Sequence, residues 1–253
     1  MDLAGIAVTK ETKMSKILCA VMLSCFASSA LAQEAAAPKK WKDAAELSYV
    51  QTSGNSKTST TAGKNLFNYD WEKAALELAA GGLGTKSRNT VTAEQYNVSE
   101  KVSLKLTGKN YTFEKTGWTK DRFAGIRDRY DLGVGVGRRF LESADDKFFA
   151  ETGGGYIFED RMNSKNQSFG TYRGYGKYIR TLSASANASQ DFEYVGNLKD
   201  SKGYRMNAET ALVASISTHF SLKTSYVWKY TNAPAAGFKK TDTITSMAII
   251  VNY

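Results

Sequence analysis

Toward the C-terminus, Met247, Ile249, Val251 and Tyr253 share one parity. Ser246, Ala248 and Asn252 share the other, with Ile250 as the exception. A period of two marks a strand with one apolar face. The same alternation recurs upstream. Over Ile126–Phe140, Tyr130, Leu132, Val134, Val136 and Phe140 interleave with Arg127, Arg129, Asp131, Gly133, Gly135, Gly137 and Arg139. Next, Phe148, Ala150, Thr152, Tyr156 and Phe158 oppose Glu151, Gly153, Gly155 and Glu159. Tyr204, Met206, Ala208, Leu212, Ala214 and Ile216 oppose Arg205, Asn207, Glu209 and Ser215, and Leu222, Tyr226, Trp228 and Tyr230 oppose Lys223, Ser225 and Lys229. Weaker segments at 45–51, 57–69, 71–85, 90–98, 104–115, 169–180 and 184–197 complete a set of about twelve strands, spaced by about sixteen to twenty residues. The facing is least defined in 90–115, where Lys105, Lys109, Tyr111, Phe113 and Lys115 share a parity. The two prolines, Pro38 and Pro234, fall outside every proposed strand, so neither interrupts a ladder.

Downstream of the N-terminal segment, no apolar run approaches the ~20 residues of a membrane helix. Alternating strands with aromatics at their ends, in even number, predict an all-β chain: an antiparallel up-and-down transmembrane β-barrel over 41–253 whose apolar face meets lipid. A chain that stops on an aromatic at the end of such a strand resembles bacterial outer-membrane barrels. That resemblance makes Tyr253, Val251 and Ile249 a C-terminal assembly signal and the barrel-assembly machinery a partner. The connections alternate in character. Those at 68–70, 99–102, 181–183 and 217–220 are brief and are assigned to the periplasmic side, together with a longer one at 141–147. Those at 51–57, 117–125, 160–167, 199–202 and 232–240 are mostly longer or charged and are assigned to the outside.

The N-terminus predicts the same route. Met14-Ser-Lys16 opens a basic region, Ile17–Phe26 is apolar, and Ala30-Leu-Ala32 has the small-x-small form of a signal-peptidase site. Residues 1–32 read as a cleaved signal peptide with Met14 as the start, and 33–40 as an Ala/Pro-rich periplasmic leader. A lipoprotein signal acylated at Cys25 is the lesser alternative, because Met22 and Leu23-Ser24 make a poor lipobox. Both cysteines, Cys19 and Cys25, lie in the segment to be removed, so the processed chain has no disulfide framework and no thiolate site. The whole chain carries 34 Lys/Arg against 25 Asp/Glu. That balance favours anionic partners, lipopolysaccharide among them. Lys86, Arg88, Lys120, Arg122, Arg161, Lys165, Lys199, Lys202, Lys239 and Lys240, in the outer connections, are the side chains to meet it.

The predicted interior carries the candidate chemistry. Arg127, Arg129, Arg139, Arg173, Lys177, Arg205, Lys223 and Lys229 are assigned to the lumen with Asp131, Glu151, Glu159, Asp191, Glu193 and Glu209. A Lys or Arg at the centre of the lipid face would cost ~2–4 kcal/mol, which places these charges inside. They form either a basic track for anionic solutes or cross-strand braces that fill a narrow lumen. The interspersed signs favour braces. Gly133-Val-Gly-Val-Gly137 lies within an alternating strand rather than opening a helix, so it is no nucleotide loop; its glycines make room for large neighbours. His219, with Ser217 and Ser221 nearby, reads as a turn residue rather than a hydrolase base. No spacing of ligand side chains suggests a metal or cofactor site. Nucleic acid is discounted because the aromatics follow strand parity instead of lining a basic groove.

Thr112-Phe-Glu-Lys, Asp121-Arg-Phe-Ala-Gly and Arg129-Tyr-Asp-Leu-Gly-Val-Gly-Val-Gly-Arg-Arg-Phe140 together resemble the YdiY-like family, described as salt-induced outer-membrane proteins. The resemblance spans most of 41–253. It implies an outer-membrane barrel and carries over no catalytic residue. The expectation is a non-enzymatic outer-membrane protein, a narrow solute or ion channel or an osmotic-stress component of the envelope. The alternatives are a soluble periplasmic β-barrel binding protein with an apolar interior, and an outer-membrane lipid hydrolase. Oligomeric state is not legible.

Overall fold

The computed structural model describes residues 40–55, 58–87 and 90–253. The signal-peptide reading, most of the leader and Arg88 lie outside the described residues. The strands are β1 (Trp41–Ser53), β2 (Thr58–Asp70), β3 (Ala74–Ser87), β4 (Thr90–Lys105), β5 (Asn110–Asp121), β6 (Ile126–Glu142), β7 (Asp146–Arg161), β8 (Gln167–Ser183), β9 (Ala186–Asn197), β10 (Arg205–Ser215), β11 (Phe220–Thr231) and β12 (Thr241–Asn252). Each pairs antiparallel with its sequence neighbours, and β1 closes on β12 from Ala44 opposite Asn252 to Ser53 opposite Thr243. Closure leaves no edge, as a hydrocarbon solvent requires.

Parity decides what each wall presents. On β12, Met247 and Ile249 face out and are 64% and 50% exposed, while Ala248 between them faces in and is 4% exposed. Val134, Leu212 and Leu222 likewise face out. The soluble alternative needs these side chains inside, and they are not. Aromatics ring both ends of this apolar belt. Trp41, Phe67, Phe140 and Phe148 flank it near the C-terminus, with Phe140 and Phe148 5.6 Å apart. At the other end a run of ring contacts links Tyr172, Tyr194, Tyr204, Tyr230 and Trp228.

Several connections differ from expectation. The β4–β5 turn is 106–109, not 99–102. Thr107 Oγ1 accepts from the backbone N–H groups of Lys109 and Asn110, and this local turn outweighs the polar run Ser99-Glu-Lys, which stays in strand. The β6–β7 turn shortens from 141–147 to 143–145, because Ser143 and Asp146 close it and a bulge between Arg139 and Leu141 lengthens the strand. The β8–β9 turn moves to 184–185, and the outer 117–125 connection shrinks to 122–125.

The lumen-facing glycines of β6 and β7 bring the two backbones close. Gly135 stands opposite Gly153 and Gly133 opposite Gly155. A Cβ on Gly153 would strike the Val134 carbonyl and lie 3.0 Å from Gly135 Cα, both backbone atoms. Gly153→Ala is therefore expected to cost about 1–3 kcal/mol, read as a lower temperature for loss of the compact, heat-modifiable electrophoretic form.

Candidate functional site

The inward faces place most of the expected charges together. Arg129 Nε and Nη2 both reach Glu159 Oε2, at 2.6 and 2.5 Å. Arg161 and Gln167 hold the same carboxylate at Oε1. Deeper in the lumen, Glu151 accepts from Lys101, from the Tyr111 hydroxyl at 2.9 Å and from Arg173 at 2.9 Å. Arg173 Nε donates to Glu193 at 2.6 Å, and Lys115 lies 3.8 Å from that same carboxylate. Toward the C-terminal end, Lys223 is 3.0 Å from Glu209 and 3.4 Å from Glu46. Lys177 stands opposite Asp191, which accepts from the backbone N–H of Glu209. Arg139 reaches the carbonyl of Gly108 across the Tyr111 ring.

Aromatic rings carry this network. A Cβ on Gly137 would strike the Tyr111 ring, and one on Gly135 the Phe113 ring. The glycines of β6 are the space into which those rings lie. Lys101 then passes over both, at 5.7 and 5.0 Å from their centroids, to reach Glu151. Arg173 stacks at 4.8 Å from the Tyr175 ring.

Three pairs bridge between distant strands. Lys115 on β5 meets Glu193 on β9, and Arg205 on β10 meets Asp131 on β6 at 2.8 Å. Lys229 on β11 lies 3.4 Å from Asp121 on β5, and those strands are half the barrel apart. These bridges themselves line a cavity of about 390 Å³ that carries both signs of charge, with Arg129, Lys240 and Asp242 also in its wall.

At the same end of the barrel two connections fold inward. The β5–β6 connection sends Phe123 inward against Val50 and Leu83. The β11–β12 connection, 232–240, crosses to the opposite rim. There Arg161 donates to the Ala233 carbonyl at 3.3 Å, and the Ala236 N–H to Ser164 Oγ at 2.8 Å. Phe238 and Ala235 pack on Gly125, whose φ of 72° suits glycine. A Cβ there would lie 2.6 Å from the Phe238 ring. Gly125→Val is expected to dislodge this connection and leave the barrel intact. Limited proteolysis should then cleave within 232–240 faster than in the unaltered chain, with the β-sheet circular dichroism unchanged.

Arg127 is a correction. It was assigned to the lumen by parity, but the ladder shifts between Ile126 and Asp128. That bulge turns Ile126 inward and Arg127 to the rim, where it is 57% exposed and 3.3 Å from Asp160. Lys101, Lys115, Asp121 and Glu46 were not singled out. The signal for the Tyr111–Phe113 side was present, because alternating glycines on one lumen face require bulky residues on the neighbouring strand. His219 lies in the β10–β11 turn with its Nδ1 3.0 Å from Thr218 Oγ1, while Ser217 Oγ accepts from the backbone N–H groups of His219 and Phe220.

Comparison with known proteins adds the following. A family described as "Protein of unknown function, DUF481" matches residues 45–253. The uncharacterized protein YdiY of Escherichia coli (strain K12) is 26% identical over 217 residues, covering 85% of this chain and 84% of that protein. A KdgM porin structure aligns with a TM-score of 0.50 at 8% identity, covering 83% of this chain and 99% of the porin. The translocator domain of the autotransporter NalP from Neisseria meningitidis aligns with a TM-score of 0.50 at 10% identity, over 98% and 99% of the two chains. At such identities the likeness is one of fold, that of outer-membrane β-barrels.

Proposed function

The chain belongs to the DUF481 family, and from that premise we propose that it is an integral outer-membrane protein whose barrel forms a narrow, bridged passage for small ions. The observation that carries this reading is the Asp121–Lys229 pair, which joins opposite walls beside the inward-folded β5–β6 connection. With Arg205–Asp131 and Lys115–Glu193 it divides the lumen into gaps suited to water and small ions rather than to bulky solutes. Charges of both signs along the path favour weak ion preference over a one-sign track.

The girdles set the lipid boundary, so the loop end faces outward if the termini are periplasmic. Lys199 at that end, with exposed Arg122, suits contact with the phosphates of lipopolysaccharide. Barrel-assembly machinery reading Ile249, Val251 and Tyr253 is the partner for insertion, and no nucleic acid or cofactor enters the reading. Neither does enzymatic chemistry, since the serines beside His219 serve the turn and the wall. A role in the envelope under salt stress rests on the family resemblance alone. A strain lacking the protein should then grow more slowly in raised salt and recover on complementation.

Osmotic swelling of proteoliposomes tests the passage. Salt should equilibrate slowly and a disaccharide should be excluded. Rapid swelling in the disaccharide would show an open pore and sink the reading.

A further inference from the structure

The lumen cavity has two unlike walls. On β4 to β7 its inward positions are small. Ser99 stands opposite Gly117, and Gly133 opposite Gly155. The close approach of two backbones accounts for Gly153 and Gly155. It does not account for Gly117 and Gly133, where an added Cβ would meet nothing nearer than 3.6 Å. Neither has the positive φ that favours glycine. A glycine inside a strand weakens it, so these two leave an open space that folding does not require. That space, about 390 Å³, is within the range of small-molecule sites.

The facing wall carries long cations. Asn207 stands opposite Glu193 on β9 and Lys229 on β11, and Arg205 is the next inward residue on its own strand. Asn207 donates to Glu193 at 3.3 Å, and Lys115 reaches the same carboxylate from β5. Arg205, Lys229 and Lys115 therefore converge around Asn207. Among the described residues, the ion pairs at and beside the cavity join seven cations to five carboxylates, because Glu151, Glu159 and Glu193 each serve two. Hydrogen-bonding capacity is more uneven still. Asp121 accepts from two backbone N–H groups and Gln95 as well as from Lys229, and Asp242 accepts twice from Asn55. By contrast, Arg205 donates a single N–H of its fork, to Asp131. The partner of Lys229 lies at 3.4 Å, and that of Lys115 at 3.8 Å, beyond a hydrogen bond. The acceptors are committed and the cationic donors are spare.

We infer that this cavity binds a small hydroxylated carboxylate, the anion of a sugar acid or hydroxy acid. Arg205, Lys229 and Lys115 hold its carboxylate through charge-assisted hydrogen bonds. Its body lies against the glycine wall, where Asn97, Ser99 and Thr119 face its hydroxyls. A neutral sugar of the same size leaves the cationic donors without an anion, and a bare phosphate leaves the glycine wall to water. The long pairs made by Lys115 and Lys229 yield to the occupant with little loss. This inference rests on the reading of the lumen as a passage, which gives a solute access to the cavity.

Isothermal titration calorimetry of the refolded chain, in a neutral detergent and a chloride buffer, tests it with gluconate as the probe. Gluconate should bind saturably at one site, with a dissociation constant on the order of 1 mM. Glucose should give no saturable heat, and phosphate should bind roughly tenfold more weakly than gluconate. Lys115→Gln should weaken gluconate roughly tenfold and keep the heat-modifiable barrel, because its pairing is loose. Gly133→Val places a side chain in the open space and should abolish binding. Glucose or phosphate bound as well as gluconate would overturn the site. So would gluconate binding that a folded Gly133→Val chain leaves unchanged. Should one variant fail to fold, the other decides. Ion conduction without saturable gluconate binding would overturn the site and leave the passage standing. Binding by a chain that conducts no ions would support the site and overturn the passage.

Discussion

Glu151→Gln should be the most destabilising conservative change in the barrel, by about 3–5 kcal/mol. The side chain is 1% exposed and serves Lys101, Tyr111 and Arg173 at once. Glutamine keeps the volume and removes the charge. Lys101 then has no carboxylate, and Arg173 keeps only Glu193. Because the side chain is out of contact with water, solvent does not make good the loss. Urea denaturation of the refolded protein in lipid vesicles, followed by tryptophan fluorescence, measures the shift. Asp131→Asn should cost less, since Asp131 is partly exposed and holds a single guanidinium.

Asp121→Ala should have the largest effect on conduction. This carboxylate accepts from the backbone N–H groups of Phe123 and Ala124, from Gln95 and from Lys229. Alanine removes the bridge across the barrel and uncaps the turn that holds Phe123 against Val50 and Leu83. Both changes widen the same level of the lumen. Single-channel conductance in a planar bilayer should rise severalfold, and the β-sheet circular dichroism should be unchanged. Asp131→Asn, which removes one bridge and leaves both connections folded inward, should raise it less.

The strands that were legible have one face that is mostly apolar over its central stretch. β12, β6 and β11 alternate cleanly because lipid accepts only apolar side chains while the lumen accepts nearly anything. The β4–β5 region was illegible for the converse reason. Its outward face carries Glu100 and Glu114, and its inward face carries Tyr111 and Phe113. Period-two reading needs the two sides to differ in polarity, and here both are mixed. Arg127 failed differently, since parity counting assumes an unbroken ladder and one bulge reverses it. The pairs that join distant strands, such as Lys229 with Asp121, depend on barrel closure and on how the long side chains extend. No local pattern encodes that. The inward fold of 232–240 was visible only as a long connection with a proline, not as a contact with Gly125.

The measurement that bears most directly on the bridged passage is single-channel current through the refolded chain in a planar lipid bilayer under a salt gradient. The account predicts discrete steps of small amplitude, with a reversal potential close to zero because the lumen carries both signs of charge. Large steps, strong anion preference, or electrical silence from a correctly inserted and heat-modifiable barrel would contradict it.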